Sequence, residues 1–234
     1  MKQKVFLFII SVFLNFFVYP QKGIHTGLCL NGGIPVIAAQ NTYGFSKLEY
    51  DIKTGGSGII ELDALFTKTF GFSFCFGYDR FGSHYKGNIK NINTVREINL
   101  DYLNASCLIT IIDRNRGNYY FHFGPQLGVL LKASQIYNPA ANSLDVDQVH
   151  INGRPEENID ITDRFNKMDM RVVLKTGICL DLVDELYIKT GGLVVFSLMD
   201  INQDKWKIAD RNGKYTESRN IFGGLELGIS YSFH

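Results

Sequence analysis

Alternation with period two runs through most of the chain, and it is clearest at the end. From Asn220 to His234, Ile221, Gly223, Leu225, Leu227, Ile229, Tyr231 and Phe233 share one face, while Phe222, Gly224, Glu226, Gly228, Ser230 and Ser232 share the other. Successive side chains of a strand point to opposite sides, so this segment has one apolar face and one small, polar face. Phe70 to Arg80 repeats the pattern: Phe70, Phe72, Phe74, Phe76 and Tyr78 oppose Gly71, Ser73, Cys75, Gly77 and Asp79. Similar runs cover Ile24–Asn31, Ser57–Phe66, Tyr119–Lys132, Met170–Val183 and Leu186–Met199. A further run, Arg96–Ile112, carries two apolar registers, with Ile98, Leu100 and Tyr102 in one and Leu103, Ala105, Cys107 and Ile109 in the other. A β-bulge near Tyr102 would reconcile them. Pro125 interrupts its run, since it cannot donate to a ladder.

Eight strands are therefore expected, and the segments between them alternate long and short. Thr67–Thr69, Asp113–Asn118 and Asp184–Glu185 are tight. The first connection, Phe81–Thr94, Ala133–Lys167 and Asp200–Ser218 are long. Tight turns at one end and longer loops at the other, with an even strand count, predict an all-β, eight-stranded antiparallel up-and-down transmembrane barrel. Runs of ten or more residues suffice to cross a bilayer at a tilt. In most runs the apolar row carries no charge, whereas the opposite row holds Glu61, Asp63, Asp79, His122, Gln126, Lys175, Asp181, Lys189 and Glu226. These are the expected lumen polar network, since a narrow barrel has room only for its own side chains. Tyr119, Phe121, Tyr231 and Phe233 are placed for an aromatic belt at the turn side. The competing arrangement is a secreted lipocalin-like barrel with the apolar rows turned inward around a ligand. Four phenylalanines on one strand are bulky for such a calyx.

Met1–Lys4 is basic and Val5–Tyr19 almost wholly apolar, the pattern of a cleaved leader. The apolar run is short of the roughly 20 residues of a spanning helix. The expected division is a signal peptide over 1–21 and a barrel domain over 22–234. A formal net charge of +1 and the lack of a basic patch or phosphate-binding glycine loop give no reason to expect nucleic acid or nucleotide. Cys29, Cys75, Cys107 and Cys179 lie inside alternating runs, in no CxxC or Cys/His spacing, and read as packing residues. Asp145, Asp147, Gly153 and Glu156 resemble a calcium loop, but His150 stands where its glycine belongs. Asp160 and Asp163 add further acid to that surface. The five histidines are scattered. A hydrolytic trio of His122 with Ser73 or Ser106 can be drawn, but no spacing supports it. The Asn104-Ala105-Ser106 sequon falls mid-strand. Trp206, between Lys205 and Lys207, is expected in an external loop as a contact residue or interfacial anchor. No cofactor, metal ligand set or catalytic residue is assigned, and no enzyme is expected.

The runs Tyr102-Leu103-Asn104-Ala105-Ser106 and Tyr119-Tyr120-Phe121-His122-Phe123-Gly124-Pro125-Gln126-Leu127-Gly128 resemble the PorT-like outer-membrane β-barrel family of Gram-negative bacteria. So do Asp169, Gly177, Leu186–Gly192, Ser197–Ile201 and Gly228–Phe233. Ser106 stands where the family has proline, and His234 ends the chain where it has an aromatic. The resemblance implies an outer-membrane location. It also implies an assembly machinery that reads the last strand, with Tyr231 and Phe233 as the signal. For some members it implies a part in protein secretion, through a secretion-apparatus protein bound by the external loops. It implies no enzyme.

Overall fold

The computed structural model describes residues 23–38, 49–89, 92–113, 117–138, 156–207 and 213–233. The expected leader and the stretch from Asp145 to Gly153 lie outside them. In chain order the strands are β1 (Gly23–Ala38), β2 (Glu49–Asp51), β3 (Gly55–Leu65), β4 (Phe70–Ile89), β5 (Ile92–Asp113), β6 (Tyr119–Asn138), β7 (Glu156–Asp160), β8 (Met168–Asp181), β9 (Leu186–Ser197) and β10 (Arg219–Phe233). Single 3-10 turns occupy Thr162–Arg164 and Asp204–Trp206.

Eight strands close a ring in which every neighbour is antiparallel. The order is β1, β3, β4, β5, β6, β8, β9 and β10, and β10 pairs back onto β1 from Ile24↔Phe233 to Ala38↔Arg219. Closure leaves no row of unpaired backbone groups along a barrel edge. The fold is thus the eight-stranded up-and-down barrel of the transmembrane kind. The tight turns fall at the expected places, between β3 and β4, β5 and β6, and β8 and β9.

The faces divide as the alternation requires. Leu28, Leu30, Ile60, Phe76, Phe123, Leu225 and Leu227 stand outward and exposed, while Glu61, Asp63, Lys175, Lys189 and Glu226 are buried inside. Leu225 is 73% exposed and Glu61 1%. This is the reverse of a lipocalin-like calyx. An outside of this kind suits hydrocarbon, and only a closed barrel or a helix satisfies its own backbone there.

Three expectations are corrected. First, strands extend past their expected ends. Phe81–Thr94 is no loop, because β4 runs to Ile89 and β5 starts at Ile92, paired as a hairpin to its tip. Ala133–Lys167 is likewise partly strand: β6 continues to Asn138 and pairs with β7. β2 lies on β4 beyond the end of β3, and β7 lies on β6 beyond the end of β8. β2, β4, β5, β6 and β7 thereby form a five-stranded sheet that extends the ring wall on the loop side, where Ser83 and Tyr50 hydrogen-bond Ile37 of β1. Second, β5 keeps one phase throughout: Ile98, Leu100, Tyr102, Asn104, Leu108, Thr110 and Ile112 are all buried. The bulge lies at the expected level but on the partner strand. Asp101 faces Lys132 and Tyr102 faces Leu130, so Leu131 is the extra residue, in β6. Third, the two apolar registers of this run are two environments on one strand. On the turn side the outward row is apolar (Leu103, Ile109). On the loop side the inward row is apolar (Ile98, Leu100).

The same inversion occurs in β4. Outward Phe74, Phe76 and Tyr78 give way to Arg80, His84 and Lys86, while inward Ser73, Cys75 and Asp79 give way to Phe81 and Tyr85. Gly82, with φ +135, sits at the changeover, where an added Cβ would lie 1.9 Å from the Ile98 carbonyl oxygen. Above it Ile37, Tyr85, Ile98, Leu100, Ala133, Ile161, Phe165 and Ile201 pack into an apolar cap. Lys53 ties the approach to β3 onto this cap, donating to Glu97 Oε1 (2.7 Å), the Ile98 carbonyl (2.9 Å) and Asn99 Oδ1 (2.5 Å). Desolvation pulls its ammonium below the ordinary lysine range, and Glu97 opposes that pull. Pro125 is accommodated where the β5–β6 register skips Cys107 and Leu108.

Leu227→Arg places a charge on the outward row near mid-strand. It is expected to destabilise the barrel in lipid vesicles by about 2–4 kcal/mol, read as urea unfolding followed by gel mobility. Lys86→Arg, at an outward, exposed position on the loop side that already carries a charge, should leave the midpoint unchanged.

Candidate functional site

The chemistry-bearing residues converge inside the ring in two clusters. The first is organised on Glu61 of β3. Lys189 of β9 donates to Glu61 Oε1 and lies 3.4 Å from Asp63 Oδ2. Lys175 of β8 lies 3.2 Å from Glu61 Oε2 and 2.7 Å from Glu226 Oε2 of β10. Cys29 and Cys75 turn their thiols to Glu61 Oε2 at 4.0 and 3.8 Å. His122 of β6 pairs its Nδ1 with Thr110 Oγ1 at 2.9 Å, and its Nε2 lies 3.9 Å from Glu61 Oε1. One carboxylate therefore joins lysines from two strands across the lumen. Each lysine also reaches a second carboxylate. Buried ions need such multiple partners, because desolvation costs each of them several kcal/mol.

The second cluster is organised on Arg171 of β8. Its Nε donates to Asp169 Oδ2 (2.7 Å) and its Nη1 to Asp79 Oδ2 (3.0 Å) and Gln126 Oε1 (3.4 Å). Its guanidinium lies over the rings of Tyr102 (4.1 Å) and Phe81 (4.5 Å). Ser197 and Asn220 also donate to Asp169, and Gln126 donates to Asn104. Gly128 leaves the space, since a Cβ there would lie 2.9 Å from the guanidinium carbon.

Below both clusters, Tyr120 and Tyr187 pack with Ile112 and Cys179 at the turn side. Tyr120 rests on Gly177 and Gly191, paired across β8 and β9, where an added Cβ would come 2.7 Å from its ring carbon or hydroxyl. A gap beside Asp79, Gln126 and Lys175 is about one water molecule in size.

Of the expected lumen network, Glu61, Asp63, Asp79, His122, Gln126, Lys175, Lys189 and Glu226 are buried inside. Asp181 is not part of it: at the end of β8, where the ring gives way to the turn, it is exposed. The expected lumen network does not include Asp169, Arg171 or Asn220, and Asp169 enters only through the family resemblance. The missed signal is the period itself, because Asp169 and Arg171 are two apart and continue the inward row of Lys175. The hydroxyl at His122 is Thr110, while Ser73 contacts Cys75 Sγ at 3.5 Å. The four cysteines are free thiols, and Cys107 faces outward. Tyr231 and Phe233 stand outward at the end of β10, edge to face at 4.9 Å.

On the loop side Asp200 accepts from Tyr215 Oη (2.8 Å) and from the backbone N–H groups of Asn202 (3.2 Å) and Ser218 (3.1 Å). Asn166 Nδ2 donates to the carbonyls of Asp200 and Asn202 at 2.9 Å each. Phe165 and Asn202 form a β-bridge, and Arg164 lies 4.5 Å over the Trp206 ring. The stretch after β7 and the β9–β10 loop are thereby joined.

No family model matches the chain, and no curated protein matches it. Solved structures similar to it include Neisserial surface protein A, at 12% identity over 90% of this chain and 97% of that one, TM-score 0.43. Ail, the attachment invasion locus protein of Yersinia pestis, matches at 10% over 89% and 98%, TM-score 0.38. The outer membrane protein OprG of Pseudomonas aeruginosa matches at 7% over 92% and 97%, TM-score 0.35.

Glu61→Gln removes the charge that two lysines share. It is expected to lower stability by about 3–5 kcal/mol, measured by urea unfolding of the folded barrel. Asp181→Asn, at an exposed position, should cost less than about 1 kcal/mol in the same assay.

Proposed function

We propose that this chain is an integral outer-membrane barrel with a structural and binding role, exercised through its loop-side surface and not through its lumen. The observation that carries this reading is closure at three levels. Tyrosines pack at the turn side, ion pairs cross the middle, and an apolar cap fills the loop side. Among the described residues, side chains of these three layers occupy the interior from end to end. Carboxylates and a histidine committed to one another in this way favour a binding role over a catalytic one.

Three partners follow. Outer-membrane lipid covers the outward rows. The outer-membrane assembly machinery reads β10, with Tyr231 and Phe233 as the terminal aromatics. A protein of a secretion apparatus binds the loop side, in keeping with the resemblance to the PorT-like family. Supporting this last partner is the firmness of the surface, in which Asp200, Asn166 and the Arg164–Trp206 stack fasten two external segments together. A prepared surface loses less conformational freedom on binding.

The experiment compares cells carrying the intact chain with cells carrying it without residues 139–155. Both forms should reach the outer-membrane fraction and shift in gel mobility on boiling. Only the intact form should sustain release of the cell's secreted proteins. Equal secretion by both forms, or by cells lacking the chain, would remove the secretion role. In planar bilayers the barrel should show no steady conductance, and reproducible ion channels would instead support a pore.

A further inference from the structure

The two lumen clusters hold five carboxylates, Glu61, Asp63, Asp79, Asp169 and Glu226, against three cations, Lys175, Lys189 and Arg171. The formal excess is two negative charges in a closed interior. Charge of that kind stays buried only if something compensates it. One corner is shaped to do so. A carboxylate oxygen of Glu61, one of Asp63 and a ring nitrogen of His122 all lie within 4.8 Å of one another, and all three residues are fully buried. Two of their atoms, Asp63 Oδ1 and His122 Nε2, have no hydrogen-bond partner. Thr110 engages the other nitrogen, Nδ1, at 2.9 Å. A hydroxyl that accepts from Nδ1–H leaves a lone pair on Nε2, aimed at the carboxylates. This is how outer partners orient a ligating imidazole.

The geometry points to a divalent metal site at Glu61, Asp63 and His122, for an ion of the zinc class. One imidazole and two carboxylates form a borderline donor set of the kind zinc accepts. The +2 charge offsets the excess of the lumen. Lys189 donates to Glu61 Oε1, the oxygen that also lies 3.9 Å from His122 Nε2, and lies 3.4 Å from Asp63 Oδ2, which leaves Asp63 Oδ1 for the ion. With the described residues packed across both ends of the interior, the ion enters while the ring assembles and stays until it opens.

The test is refolding of the whole barrel domain from metal-free urea into detergent with Zn2+, followed by chelating resin and elemental analysis. Boiling-dependent mobility identifies the folded fraction. Wild type should retain about one equivalent per folded barrel. His122→Gln and Asp63→Asn should reduce retention at least about tenfold. Asp79→Asn, in the other cluster, should retain the full equivalent. Folded wild type without metal, or equal retention by the His122 and Asp63 variants, would overturn the site. Should those variants not fold, wild type refolded with Co2+ decides. Intense visible absorption of a low-coordinate nitrogen and oxygen site supports it, and the faint spectrum of hydrated Co2+ overturns it. Charge balance by protons alone would appear as proton uptake on refolding with no metal bound, which also overturns it.

Discussion

Hydrocarbon offers no hydrogen bonds, so a sheet placed in it must satisfy every backbone group within itself. The pairing of β10 with β1 meets that demand, and the rest of the structure follows from it. Once the ring is closed, the outward row of each strand must be apolar, and only the inward row is free to be polar. Eight strands then enclose a space too narrow for a solvent column, so the inward side chains must satisfy one another. Glycines at Gly177 and Gly191 let Tyr120 lie flat against the wall, and Gly128 admits the Arg171 guanidinium. The narrowness is what turns a row of charges into two closed clusters.

Those clusters connect distant parts of the chain. Glu61 on β3 meets Lys175 on β8 and Lys189 on β9, across the ring from its own neighbours. Backbone pairing joins each strand only to the next, whereas the ion pairs join walls that never pair. Their net free energy is modest after desolvation, but an unpartnered member is costly. The clusters therefore act chiefly as a test of correct register: a slip of one residue in β3 would turn Glu61 outward and leave two lysines buried alone.

Much of this was readable in the sequence, for a physical reason. Period two is imposed by the strand itself, so the inward row from Glu61 to Glu226 and the outward phenylalanines of β4 could be assigned without coordinates. What could not be read was where the surrounding solvent changes. Phe81 and Tyr85 break the pattern of β4 because they leave the apolar belt, and polarity alone made that stretch look like a loop. In β5 the same change mimicked a shift of phase, although the strand runs straight and Leu131 on β6 carries the extra residue. Asp181 failed for a related cause, since alternation continues to the end of β8 while burial stops earlier. Contacts such as Asp169 with Asn220 and Arg171 with Asp79 depend on strand stagger, which a single sequence does not display.

The inversion of polarity along β4 and β5 also bears on how the molecule comes to exist. These two strands belong to two cores that require opposite surroundings. The cap around Ile98, Leu100 and Phe165 is of the kind that collapses in water, whereas the belt of Phe74, Phe76 and Leu225 is covered only in lipid. Neither solvent alone can mature the whole strand. A chain kept in water would bury the belt wrongly, and one drawn fully into lipid would strand the charges of the cap. Folding must therefore be completed with the boundary lying across Gly82 and Leu131. The depth at which the protein sits is thus set by its own strands, as a waterline is set by the shape of a hull.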